Sequence, residues 1–110
     1  MEIKVEGDSV KVLSLLFNLT KREDQILRVL IEQQELVNKE SAMAGVPVNL
    51  IREKTTNRIK EVLGVTDDYH LKPYLIRLRR KKVIVYDNGY YRLNKVFKNG
   101  THRIIVICSQ

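Results

Sequence analysis

Residues 59–94 read IKEVLGVTDDYHLKPYLIRLRRKKVIVYDNGYYRLN, and the fold turns on this stretch. Ile59, Val62 and Leu63 share the inner face of a helix expected over 56–63, with Thr55 and Thr56 as candidate N-caps. Gly64 follows, where a helix end favours a left-handed residue. Val65 fills the turn and Thr66 can cap what comes next. On a second helix over 67–82, Leu71, Leu75 and Leu78 fall together at i, i+4 and i+7 and must face a core. The opposite side carries Tyr69, Pro73, Ile76, Arg77 and Arg80, with His70 and Lys72 at its flanks. Arg79, Lys81 and Lys82 close the helix, where cations suit the negative end of the macrodipole. A helix starting at Thr66 would hold Pro73 in its interior, at a cost of about 3 kcal/mol. Either residues 67–71 form a separate turn and the helix starts near Lys72 with Pro73 as its N1 residue, or the helix is kinked; the first reading is preferred.

Two β-prone runs, Val83–Asp87 and Tyr90–Asn94, flank Asn88-Gly89. Asn-Gly between such runs is the strongest short-range hairpin signal, a type I′ turn. A two-residue loop sets Tyr86 opposite Tyr91, Val85 opposite Arg92 and Ile84 opposite Leu93. Alternation then puts Ile84, Tyr86, Tyr91 and Leu93 on one face, expected to pack inward, and Val85, Asp87, Tyr90 and Arg92 on the other.

Working back towards the N-terminus, Thr20-Lys21-Arg22-Glu23 is a capping-box pattern, and Ile26, Leu27, Leu30 and Ile31 follow with helical spacing. These predict a helix over about 21–37. Residues 38–48, NKESAMAGVPV, lose the period and hold Gly45 and Pro47, so a loop is expected there, with Leu50 and Ile51 as candidates for an extra helical turn. Residues 2–6 alternate like a short strand, and 10–17 read as a short helix. Beyond the hairpin, a second Asn-Gly at 99–100 precedes RIIVIC (103–108). This predicts a third strand beside the hairpin, with Val106 opposite Leu93, an inner face of Ile104, Val106 and Cys108, and an outer face of Ile105 and Ile107. That outer face needs a cover, from residues 2–17 or from a second subunit.

Charge is divided unevenly. Residues 1–70 hold ten basic and twelve acidic side chains, whereas residues 71–110 hold ten basic side chains and one acid, Asp87. The net charge of +7 is therefore carried from the second helix onward, as expected of a surface that meets a polyanion. With 110 residues and 44% hydrophobic content, a single α+β domain with a modest core is expected over 1–110. No stretch approaches the ~18 apolar residues of a membrane-spanning helix, and MEIKVEGD lacks a signal-peptide pattern. One cysteine, Cys108, excludes an intrachain disulfide and fits the cytoplasm of a bacterial, archaeal or phage-infected cell. With two separated histidines, no metal or other cofactor is expected.

The phrases LTKREDQILRVL (19–30), IKEVLGVT (59–66), YLIRLRRKKVI (74–84) and YYRLN (90–94) resemble the winged helix-turn-helix superfamily. The long 38–55 connection and the terminal RIIVIC are similar, more weakly, to small winged-helix proteins encoded by tailed bacteriophages. The resemblance implies a helix-turn-helix core over about 20–82, with the wing and an extra strand, together a three-stranded antiparallel sheet, over 83–108. Two departures stand out. The segment from Thr66 to Leu71 is about one residue longer than usual for the family, and Pro73 interrupts it.

A double-stranded DNA-binding protein, a transcriptional regulator or phage-type accessory factor, is the function this implies. The residues expected at DNA are Tyr69, His70, Lys72, Ile76, Arg77, Arg80, Lys81, Lys82, Tyr90 and Arg92. Arginines fork onto guanine edges, an aliphatic group meets a thymine methyl, and Arg79, Lys81 and Lys82 at the helix end are placed to bond phosphates rather than bases. The alternative is a protein-interaction module in a virion or polymerase assembly, or a homodimer, joined through Ile105 and Ile107. An enzyme is disfavoured: there is no Gly-rich phosphate loop, and Asp67-Asp68 near His70 reads as helix capping rather than catalysis.

Overall fold

The structure, a computed structural model, describes residues 15–97 in full and the backbone of residues 2–5 and 104–107. It is α+β. In chain order it has β1 (Glu2–Val5), α1 (Lys21–Ala44), α2 (Glu53–Leu63), a 3-10 turn (Asp68–His70), α3 (Lys72–Arg80), and the strands β2 (Ile84–Asp87), β3 (Tyr90–Leu93) and β4 (Ile104–Ile107).

The capping box at the start of α1 forms as its sequence predicts. Thr20 Oγ1 accepts from the Glu23 N–H at 3.2 Å, and Glu23 Oε1 accepts from the Thr20 N–H at 2.9 Å. Ile26, Leu27, Leu30 and Ile31 are buried on one face. The expected end near residue 37 is wrong, because α1 runs on through NKESAMA to Ala44. Lys, Glu, Ala and Met are strong helix formers and need no apolar face to stay helical. The helix stops at Gly45, whose left-handed backbone (φ 71°) turns its N–H onto Ser41 O. An ion pair between Glu40 and Arg52 ties this extension to the start of α2.

Helix α2 also starts earlier than expected, at Glu53, without a side-chain cap. Thr55 is fully buried and its hydroxyl donates to Leu50 O at 2.6 Å, which satisfies that group inside the helix instead of at its end. Gly64 (φ 70°) closes α2 as expected. Asp67, not Thr66, caps the next turn: its Oδ1 accepts from the Tyr69 N–H at 2.9 Å. Pro73 stands in the first turn of α3, where its missing N–H costs no helical bond. Residues 67–71 are thus a separate turn, the preferred of the two readings. Leu71, Leu78 and Val83 pack with Leu27, Leu30, Leu50 and Ile59 into the core, and Leu75 borders it.

The hairpin has the predicted register, with Tyr86 facing Tyr91 and Ile84 facing Leu93, around Asn88 (φ 50°) and Gly89 (φ 86°). The three-stranded sheet does not form. β4 pairs antiparallel with β1, so Val106 faces Ile3 rather than Leu93, and β2–β3 stands as its own pair. The reason lies along the outer edge of β3. Tyr91 O accepts from the Leu50 N–H (3.0 Å), the Tyr91 N–H donates to Asn49 Oδ1 (3.3 Å), and the Leu93 N–H donates to Gln34 Oε1 (3.0 Å). Edge groups already satisfied by the connection before α2 and by α1 leave no ladder for another strand. The expected helix start at Val10, the Asn99-Gly100 turn and the faces assigned to Ile104–Cys108 lie outside the described residues. No described helix is long and apolar enough to cross a membrane.

Candidate nucleic-acid interface

Helix α3 is short, and its surface is divided into two flanks by what stands beside it. On the flank towards α1, Glu23 is completely buried. Its Oε1 accepts from Lys81 Nζ at 2.7 Å as well as from the Thr20 N–H, and its Oε2 lies 3.9 Å from Arg77 Nε. Lys81 Nζ also donates to Asn18 O at 2.8 Å. Burial acts to raise the Glu23 pKa. The hydrogen bonds from Lys81 and from Thr20, with the charge of Lys81, outweigh it and hold the carboxyl below its ordinary value. Lys81 is therefore turned inward, towards Glu23 and Asn18, with 27% of its side chain exposed. Arg77, nearly half exposed, lies with its guanidinium 4.8 Å from the centre of the Tyr74 ring.

The other flank faces the hairpin and solvent. Lys72 and Arg80 are exposed and form no ion pair with a described residue, and Ile76 is 51% exposed between them. Tyr69, 73% exposed, stands edge-on to His70 (6.3 Å) in the preceding turn. Lys82, in a left-handed conformation (φ 67°), presents its side chain to solvent after the helix, and Tyr90 is exposed beside the hairpin tip. Of the residues expected at an interface, the structure leaves Tyr69, His70, Lys72, Ile76, Arg77, Arg80, Lys82 and Tyr90 accessible. Lys81 is drawn to Glu23, and Arg77 approaches the same carboxylate only at 3.9 Å. Arg92 stands apart: it is on the opposite hairpin face from Tyr86 and Tyr91, beside Gln34 and Asn38 of α1, with Nε 3.4 Å from Asp87 Oδ2.

Arg79, expected with Lys81 and Lys82 to end the helix within reach of phosphates, lies over two rings, 5.8 Å from the centre of Tyr86 and 5.5 Å from that of Tyr91, which meet edge-on at 4.9 Å. Tyr86 was expected to pack inward but is 55% exposed, because its inward neighbour is the Tyr91 ring and not the core. The signal available in the sequence was the pairing of Tyr86 with Tyr91; what those rings would hold depended on where α3 docks.

Asp67 and Asp68 have structural partners. Asp67 caps the 3-10 turn, and Asp68 pairs with Lys60 at 2.8 Å. Among the described residues no cluster of His, Cys, Asp or Glu could hold a metal ion. Comparisons with protein-family models, curated proteins and solved structures gave no significant match.

Proposed function

We propose that this chain is a double-stranded DNA-binding protein of the winged helix-turn-helix type, acting in transcriptional regulation. Helix α3 would enter the major groove with Lys72, Ile76 and Arg80 towards base edges, Tyr69 and His70 at the leading end, and Lys82 and Tyr90 on the backbone. The observation that carries this reading is the solvent-facing flank of α3: a helix on the chain's basic half displays two cations that pair with no described residue around a half-exposed isoleucine. Basic side chains spaced around an apolar one suit a groove that offers acceptors and thymine methyls together.

The test is a salt titration of duplex binding. Wild-type affinity should fall steeply between about 50 and 200 mM salt as counterions are released. Lys72→Ala/Arg80→Ala should lower both the affinity and the slope, the latter by roughly two phosphates' worth if both reach the backbone and less if they read bases. Absence of binding to any duplex at low salt sinks the proposal and leaves the protein-interaction reading in its place.

A further inference from the structure

Between α3 and the hairpin runs an open groove of about 180 Å³, lined by Ile51, Leu75, Ile76, Ile84 and Tyr91, with Arg79 the one cation among its described residues. It is smaller than the roughly 300–1,000 Å³ typical of small-molecule pockets. Arg79 pairs with no described carboxylate; its guanidinium rests on the Tyr86 and Tyr91 rings, with Nη1 3.4 Å from the Tyr91 hydroxyl. Elsewhere on the same helix Arg77 and Lys81 face a buried carboxylate. Arg79 is thus a charge held in place by aromatic faces and neutralised by no described carboxylate, beside an apolar channel that continues the exposed face at Ile76.

We propose that this groove clamps the sugar–phosphate backbone of a bound nucleic acid, with Arg79 as the phosphate-binding residue and Tyr86 and Tyr91 as the shelf that orients it. The inference rests on the DNA-binding reading and adds a division of labour to it. A sugar–phosphate strand presents an anion beside a largely apolar ring face, which matches one arginine set in an aliphatic and aromatic channel. Phosphates are the same at every base step, so this contact supplies affinity and register while Lys72, Ile76 and Arg80 supply preference. Cation–π contact with two rings, at 5.5 and 5.8 Å, reduces the rotamer freedom that a long side chain loses on binding, and the planar guanidinium also reaches the Tyr91 hydroxyl.

The experiment compares wild type, Arg79→Ala, Arg79→Lys and Tyr86→Ala on several unrelated duplexes across a salt series, with melting curves to confirm folding. Arg79→Ala should lose about tenfold to hundredfold in affinity, equally on every duplex, and its salt slope should fall by about one. Arg79→Lys should recover the slope but not the full affinity. Tyr86→Ala, at an exposed position that leaves the core intact, should keep the wild-type slope and lose a few-fold in affinity. It tests the shelf even if an Arg79 variant fails to fold. Wild-type binding with unchanged affinity and slope in Arg79→Ala overturns the clamp and leaves the DNA reading standing. A loss that depends on duplex sequence also overturns it, by making Arg79 a base contact. Absence of duplex binding by the wild type overturns both, and binding of an acidic peptide instead would assign the groove to a protein partner.

Discussion

The two flanks of α3 carry the same residue types and meet opposite fates. Arg77 and Lys81 face α1, where the buried Glu23 accepts a hydrogen bond from Lys81 at 2.7 Å and lies 3.9 Å from Arg77. Lys72, Arg79 and Arg80 face the hairpin or solvent, where no described carboxylate pairs with them and tyrosine rings support one of them. Counting charges from Lys72 to Lys82 makes all of these equivalent. The difference teaches that the charge a basic helix can offer a partner depends on which neighbours its docking brings within reach.

The comparison can be broken at several points, beginning with what both flanks share. Leu78 is fully buried at the centre of α3, and Leu78→Ala should cost about 2–5 kcal/mol in urea denaturation, removing both flanks together. Glu23→Gln keeps an N3 residue able to complete the capping box but removes the charge that holds Lys81. It should cost about 1–2 kcal/mol, less than a fully buried pair because Lys81 is 27% exposed. The same variant frees Arg77 and Lys81, so its salt slope for duplex binding should steepen; an unchanged slope would mean these cations never reach DNA.

Acid titration sharpens the point. The folded Glu23 holds its proton less readily than an unfolded glutamate, whose ordinary value is 4.5. Its contribution is fully present above that value and is lost as pH falls through the lower folded one. Wild-type and Glu23→Gln stabilities should therefore converge below about pH 4.5; parallel curves would remove Glu23 as the cause. A smaller effect is expected at the hairpin. Gly89 (φ 86°) occupies a backbone region where a side chain is strained, and Gly89→Ala should cost about 1 kcal/mol and weaken the Arg79 flank alone. Smallest of all should be the coupling between flanks. Glu23→Gln and Arg79→Ala should add to within about 0.5 kcal/mol in stability, and a larger coupling would show that the flanks act as one unit.

Local signals were legible where a short pattern carries its own geometry. The Thr20–Glu23 box, the left-handed Gly64 and the Asn88-Gly89 hairpin with its register all depend on residues within a few positions of one another. The end of α1 was not legible, since residues 38–44 stay helical through backbone propensity after the apolar period has stopped. Nor was the partner of β4, because a strand's neighbour is chosen by which edge is unsatisfied, and Asn49, Leu50 and Gln34 had already taken the edge of β3. At the candidate site, the solvent face of α3 around Ile76 and Arg80 followed from helical spacing. The withdrawal of Lys81 did not, because Glu23 lies 58 residues away in the chain.

The sequence by itself determined the order of helices and hairpin, the core face of α3 and the concentration of positive charge in the C-terminal part, since each follows from spacing and residue type. Which of the described charges on α3 find a carboxylate followed from the packing of distant segments. Ion pairing and ring stacking act over a few ångströms, so they depend on which distant segments the packed core brings together. That packing set Glu23 beneath Lys81 and the Tyr86–Tyr91 pair beneath Arg79.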